Sequence, residues 1–210
     1  MKKSKSSAAW LREHEEDEFV KRARKEGYRS RASYKLLEID DKFQLLRPGL
    51  SVVDLGAAPG GWSQVAMRRM SGRGTVVALD LLAMEAIDGV NFIQGDFTED
   101  EPLERLVAAL GDRPADLVIS DMAPNLSGVK DIDQPRAAYL VELAIDLADQ
   151  VLGPGGAFVA KCFEGEGIDE IRRALRDRFE RCHNFKPKAS RGRSREIYLV
   201  ACGHIGQGHV

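Results

Sequence analysis

Cysteine is scarce in this 210-residue chain: Cys162, Cys182 and Cys202 are its three, odd in number and far apart. There is no CxxC pair and no Cys/His cluster, which argues against a disulfide framework and against a zinc site. A reducing compartment is the natural expectation. Long apolar runs are missing as well. No stretch is long enough to span a bilayer, and residues 10–20 are charged where a signal peptide would be apolar. The expected location is cytoplasmic, with no membrane partner. An excess of one charge is also absent, since 31 Lys and Arg face 33 Asp and Glu for a formal net charge of −2. Total charge therefore identifies no anionic partner, and any nucleic-acid signal must lie in how the charge is distributed. No internal repeat and no second domain is visible.

A chain of this length can bury roughly 70% of its unfolded surface, so its core needs no staples. Residues 1–10, rich in Lys and Ser, are expected to be a disordered basic tail. One domain over 11–203 and a tail over 204–210, for which no role is read, account for the rest. An N-terminal helical extension, 11–48, opens the domain, with helices over 11–26 (stopped by Gly27) and 31–43. The apolar face of the second is Tyr34, Leu37, Ile39 and Phe43. A regular alternation follows. Strands are expected at 50–55, 75–80, 90–94, 116–120 and 157–160, with helices at 61–70, 102–110, 135–152 and 168–179. Pro135 suits the first turn of the long helix, and Gly153-Pro154-Gly155-Gly156 ends it. Two last strands, 181–185 and 196–201, are separated by a basic loop. Strands alternating with helices imply an α/β fold: a seven-stranded, mostly parallel sheet with helices on both faces. The last two strands lack a helix between them and are expected to form an antiparallel edge.

The first strand runs into Asp54-Leu55-Gly56-Ala57-Ala58-Pro59-Gly60-Gly61-Trp62. A strand, a tight glycine turn and a helix start let a ligand approach the backbone closely at the carboxyl end of the sheet. The glycines fall as G-x-x-x-G-G, so this is not the dinucleotide fingerprint GxGxxG, and no Gly-Lys-Ser/Thr of a P-loop occurs. The turn resembles that of class I S-adenosylmethionine methyltransferases, whose sheet is Rossmann-like with an antiparallel last strand. Its narrower form, D-L-G-A-A-P-G-G-W, resembles the FtsJ/RrmJ family of ribose 2′-O-methyltransferases. The resemblance implies S-adenosylmethionine as methyl-donating substrate, held by Gly60, Trp62, Asp80, Asp96 and Asp121. Asp80 would hold ribose hydroxyls of the cofactor and Asp96 its adenine amine.

The fourth strand ends in Asp121-Met122-Ala123-Pro124-Asn125. Enzymes that methylate exocyclic amines usually carry Asn/Asp-Pro-Pro-Tyr/Phe there. Here Ala123 replaces the first proline and no aromatic follows Pro124. Carbon methylation usually needs a nucleophilic cysteine, and Cys162 reads better as a core residue. Oxygen methylation is the best match. Lys35, Asp121, Lys161 and Glu196 are singly ordinary charges. Together, in order and motif context, they resemble the Lys-Asp-Lys-Glu tetrad of the FtsJ/RrmJ family, with Lys161 the implied proton acceptor. From the residues alone, Lys161 has two open readings: a neutral base, or a charged group that orients an oxygen lone pair. No metal is required.

Two basic clusters flank tetrad residues: Arg29, Arg31 and Lys35, and the acid-free run Lys186, Lys188, Arg191, Arg193 and Arg195. Their placement favours phosphate contacts beside the site, and Tyr34 and Phe163 are candidates for stacking on a base. The resemblance implies a uridine of large-subunit (23S) ribosomal RNA as target, on the assembled or late-assembling particle, and the chain is expected to act as a monomer. The readings that compete are a transfer-RNA or mRNA-cap 2′-O-methyltransferase, a non-catalytic RNA-binding ribosome-assembly factor, and a small-molecule O-methyltransferase.

Overall fold

The computed structural model describes residues 17–124, 130–165, 167–192 and 194–206. The expected basic tail, the first part of the 11–26 helix, Asn125, Arg193 and most of the 204–210 tail lie outside these residues. Helix α1 (Glu18–Glu26) starts where the Asp17 side chain accepts from Phe19 N, and ends at Gly27 in the left-handed region at φ 71°. Glu18 in its first turn and Arg24 and Lys25 in its last complement the helix dipole. Helix α2 (Ser33–Phe43) begins two residues later than expected and buries Tyr34, Leu36 and Ile39. The remaining elements are β1 (Ser51–Leu55), α3 (Gly61–Arg69), β2 (Thr75–Asp80), β3 (Val90–Gln94), α4 (Asp100–Leu110), β4 (Ala115–Ser120), α5 (Lys130–Val151), β5 (Leu152–Phe163), α6 (Ile168–Arg178), β6 (Phe179–Phe185) and β7 (Glu196–His204).

The sheet order is β3-β2-β1-β4-β5-β7-β6. The first five strands pair in parallel, and β7 runs antiparallel to both β5 and β6. The antiparallel strand thus lies inside the sheet, with β6 as the edge. Strand order reverses between β1 and β4, the switch point outside whose carboxyl ends ligands bind in such sheets.

Residue alternation along the strands builds two cores. Val53, Leu55, Val77, Leu79, Val118 and Phe158 face one side, covered by Leu106 of α4, Ala144, Ile145 and Ala148 of α5, and Ile171 and Leu175 of α6. Val52, Val76, Ala78, Leu117, Ile119 and Val159 face the other, covered by Leu36 and Ile39 of α2 and Trp62, Val65 and Ala66 of α3. Each fully buried Leu or Ile stabilises by about 1.5–3 kcal/mol, which is why both faces read as near-continuous apolar runs.

Three further differences from the sequence reading are larger than two residues. Pro135 lies inside α5, which begins at Lys130; a proline at its sixth residue removes one helical hydrogen bond, yet the helix continues. Strand β5 begins at Leu152, so Gly153 to Gly156 belong to the strand and not to a loop. Pairing jumps from Ala115↔Leu152 to Leu117↔Ala157, and the glycines absorb the extra residues as a bulge. Strand β7 continues to His204, assigned to the tail by sequence. Its ring is buried, packed at a tilt against Phe179 and bonded through Nε2 to Asp149 Oδ1 at 2.8 Å.

Candidate active site

The turn after β1 is shaped by what approaches it. Gly56 has φ 72°, and a Cβ there would sit 2.5 Å from Met122 Cγ, so only glycine lets the segment after β4 close on the turn. Ala58 N donates to Asp80 Oδ2 at 2.9 Å and Leu82 N to Asp80 Oδ1 at 2.8 Å. Backbone amides therefore fix that carboxylate at the end of β2. Asp96, after β3, accepts from Thr98 N and Oγ1 at Oδ1, and these bonds hold its carboxyl below the usual range.

These residues border a cleft of roughly 370 Å³ at the carboxyl ends of β1, β2 and β4, lined among others by Gly56, Ala58, Asp80, Asp96, Asp121 and Met122. Small-ligand sites span roughly 300–1,000 Å³, so a nucleoside-sized molecule fits. Three carboxylates on one cleft suit a cation such as a sulfonium. Behind the cleft, Asp54 is buried, with Oδ2 accepting from Ser63 Oγ at 2.6 Å and Oδ1 without a hydrogen-bond partner among the described residues. Burial pushes its carboxyl up to about 7, and the charges of Asp121 and Asp80 add to this. Gly60 and Trp62 stand beside the cleft and not on its surface. Gly60 lies under Met84, Ile87 and Arg29. The Trp62 indole N–H donates to Ala32 O at 2.8 Å, and its ring packs on Tyr198.

Lys35, Asp121, Lys161 and Glu196 come together from four elements. Lys35 Nζ lies 2.7 Å from Glu196 Oε1, a pair only 11% and 12% exposed. Lys161 Nζ lies 3.1 Å from Asp121 Oδ1 and donates to Asp121 O at 2.5 Å. The register of β5 on β7 explains the assembly: Lys161 is opposite Tyr198 and Phe163 opposite Glu196, so the side chains at 161, 196 and 198 share one face. Tyr198 joins the two pairs, since its hydroxyl donates to Asp121 Oδ1 at 2.6 Å and Lys35 Nζ sits 5.6 Å from its ring centroid. Burial alone would push the Asp121 carboxyl up, but Lys161, Lys35 and the Tyr198 hydroxyl outweigh it and hold it low. Burial beside that carboxylate pushes the Tyr198 phenol well above its ordinary value.

Sequence reasoning passed over Tyr198, although Glu196-Ile197-Tyr198 in a strand places 196 and 198 side by side. It also passed over Ser190, whose hydroxyl donates to Glu196 Oε1 at 2.7 Å, and Glu38, whose carboxylate accepts from Lys188 N and Ala189 N. The basic loop is thus fastened to α2. Arg31 donates to Ala189 O and pairs with Asp17 at 2.7 Å. Arg29 donates to the carbonyls of Pro59, Glu85 and Ala86. Both guanidinium groups, read as phosphate contacts, are turned onto the protein. Lys186 reaches Ser194 O, Arg191 lies 4.0 Å from Asp17, and Lys188 and Arg195 are exposed. Tyr34 is a core residue: it is 2% exposed, donates to Glu26 and packs between Phe19 and Tyr28. Phe163 is half-buried. Cys162 is buried, and burial pushes its thiol up to about 12, as suits an inert core residue.

A family profile described as FtsJ-like methyltransferase matches residues 28–204. The chain belongs to the FtsJ-like methyltransferase family. Two of its relatives are each named ribosomal RNA large subunit methyltransferase E. The protein from Methylobacillus flagellatus is 60% identical over 200 residues, 95% of this chain and 97% of that one. The protein from Pseudomonas aeruginosa is 58% identical over 207 residues, 99% of this chain and 100% of that one. Among solved structures, a Plasmodium falciparum protein named as a ribosomal RNA methyltransferase aligns with a TM-score of 0.77 at 32% identity, over 86% of this chain and 100% of that one. The FtsJ-like match begins within the segment that precedes α2, so Lys35 and the tetrad all fall inside it. Among the described residues, no helix is long and apolar enough to cross a membrane.

Proposed function

We propose that this chain transfers the methyl group of S-adenosylmethionine to the 2′-hydroxyl of a uridine ribose in large-subunit ribosomal RNA. The observation that carries the reading is the double position of Asp121. Its carboxylate lines the acid-bordered cleft and also pairs with Lys161. A methyl donor in the cleft and an acceptor oxygen at Lys161 then meet at one residue. The names of the relatives support the RNA substrate.

S-adenosylmethionine, when bound, supplies an electrophilic methyl on a sulfonium. Asp80, Asp96 and Asp121 bind and orient it. On the acceptor side, Lys161 is held by two oxygens of Asp121, leaving its remaining hydrogen to point at the ribose 2′-oxygen. Because Asp121 stays ionised, this geometry favours the orienting role: Lys161 steers an oxygen lone pair in line with the C–S bond. The C–O bond forms as the C–S bond breaks, sulfur keeps the electron pair, and the hydroxyl proton passes to water. Lys35, fixed by Glu196, faces the ribose or its phosphate. Lys188 and Arg195 remain for phosphates beyond the site.

Transfer of radiolabel from S-adenosylmethionine to large subunits or rRNA from cells lacking the enzyme tests the reading. Label resistant to alkaline cleavage at one nucleotide, and absent with Lys161→Ala, supports it. No transfer to either substrate, despite cofactor binding, overturns it.

A further inference from the structure

The segment between β2 and β3, residues 81–89, has no regular structure of its own, and its first two residues line the cleft. Leu81 and Leu82, 61% and 69% exposed, line the cleft at its root. The rest of the segment lies over the cofactor turn: a Cβ on Gly60 would be 2.7 Å from Ile87 Cδ1 and 2.8 Å from Met84 Sδ. What fastens it there is Arg29. Its Nη1 donates to Glu85 O at 2.7 Å and to Pro59 O at 3.1 Å, and its Nη2 donates to Ala86 O at 2.8 Å. One guanidinium thus ties the segment that continues from Leu81 and Leu82 to the turn. Its own backbone N–H donates to Gln64 Oε1 of α3 at 2.8 Å, which fixes where the side chain starts.

We propose that Arg29 is a positioning residue for the cofactor, a clamp that holds residues 81–89 on the Gly60 turn and so sets the width of the cleft. This rests on the cleft being the S-adenosylmethionine site. Three carbonyls are met by one rigid fork of donors, a geometry that a lysine ammonium on a flexible stem does not reproduce. The clamp lies six residues before Lys35, so it also ties the start of the acceptor side to the cofactor turn. Although Arg29 belongs by sequence to a basic cluster, its charge is spent on internal carbonyls and not on phosphate.

The test is calorimetric binding of S-adenosylhomocysteine, without RNA, to Arg29→Lys, Arg29→Gln and Asp80→Ala, together with KM for the RNA substrate and amide hydrogen exchange. Both Arg29 variants are expected to bind about tenfold more weakly, the loss of one or two charge-assisted hydrogen bonds, with faster exchange confined to residues 81–89. KM for RNA and its salt dependence should stay within twofold for Arg29→Lys, which keeps the charge. Should Arg29→Gln fail to fold, Arg29→Lys alone carries the measurement. Unchanged affinity in Arg29→Lys, with Asp80→Ala weakened, overturns the clamp and leaves the cleft assignment standing. Unchanged affinity in Asp80→Ala overturns both. Unchanged cofactor affinity with a raised KM for RNA and a shallower salt slope in Arg29→Gln makes Arg29 a phosphate contact instead.

Discussion

The two halves of the site are built by different means. On the parallel half, around β1, β2 and β3, the candidate cofactor groups are held mainly by backbone amides of the turns that follow these strands. Asp80 is fixed by Ala58 N and Leu82 N, and Asp96 by Thr98. On the half made by β5, β7 and α2, charged side chains hold one another across long stretches of sequence. Lys35 pairs with Glu196, Lys161 with Asp121, and Tyr198 bridges them. Backbone-held groups are fixed by the turn itself and tolerate changes elsewhere. A half-buried network of side chains loses its geometry when any one member is removed.

Substitutions in the two halves should therefore separate cleanly. The largest effect is expected from Lys161→Ala, with kcat lowered about 10³-fold and affinity for S-adenosylhomocysteine within about threefold. Asp80→Ala should do the reverse, weakening that affinity strongly with a smaller change in kcat at saturation. Equal losses in both parameters for both variants would erase the distinction. Next comes Tyr198→Phe, which removes one hydrogen bond to a carboxylate and should lower kcat about 10- to 100-fold. Steady-state assays at saturating cofactor read this, and cofactor affinity should not follow.

A third expectation concerns Asp54, the carboxyl buried behind the cleft. Its folded-state pKa of about 7 lies above the ordinary carboxylate value. Between about pH 4 and pH 7 the folded state therefore holds a proton that the unfolded chain has released, and stability falls as pH rises through that window. Asp54→Asn should flatten this fall, raising Tm at pH 7 on the order of 5 °C above its pH 4 difference from the parent protein. Parallel Tm–pH curves for the two proteins would refute it. The smallest effects belong to the exposed Lys188 and Arg195. Alanine at either should reduce the salt slope of RNA affinity by about one, uniformly across RNA sequences, with catalysis at saturation intact.

The same contrast governs what could be read from sequence. Strands 75–80 and 90–94 and the glycine turn are local patterns, and the structure has them at those residues. The Lys35–Glu196 pair spans most of the chain, and no spacing rule joins its ends; it was visible only through family resemblance. Tyr198, Ser190 and Glu38 were missed because their roles depend on register and loop docking, which a sequence does not display. Arg29 and Arg31 were read as phosphate contacts because the acceptors of Arg29, and Ala189 O for Arg31, are backbone carbonyls, which every sequence has and none reveals. Gly153 to Gly156 were read only as the end of the long helix, and their pairing as a bulge went unseen because pairing that resumes after an interruption leaves no local mark.

The inserted position of β7 has a consequence for biosynthesis. It is the last of the seven strands to leave the ribosome, yet it lies between two strands made before it. Until it arrives, β5 presents an open edge, β6 has no strand to pair with, and Glu196 and Tyr198 are missing from their places. A nascent chain ending before residue 196 holds none of the bridging contacts. Competence for methyl transfer should therefore switch on in one late step, when the final strand slides between its neighbours, and not accumulate as the chain lengthens.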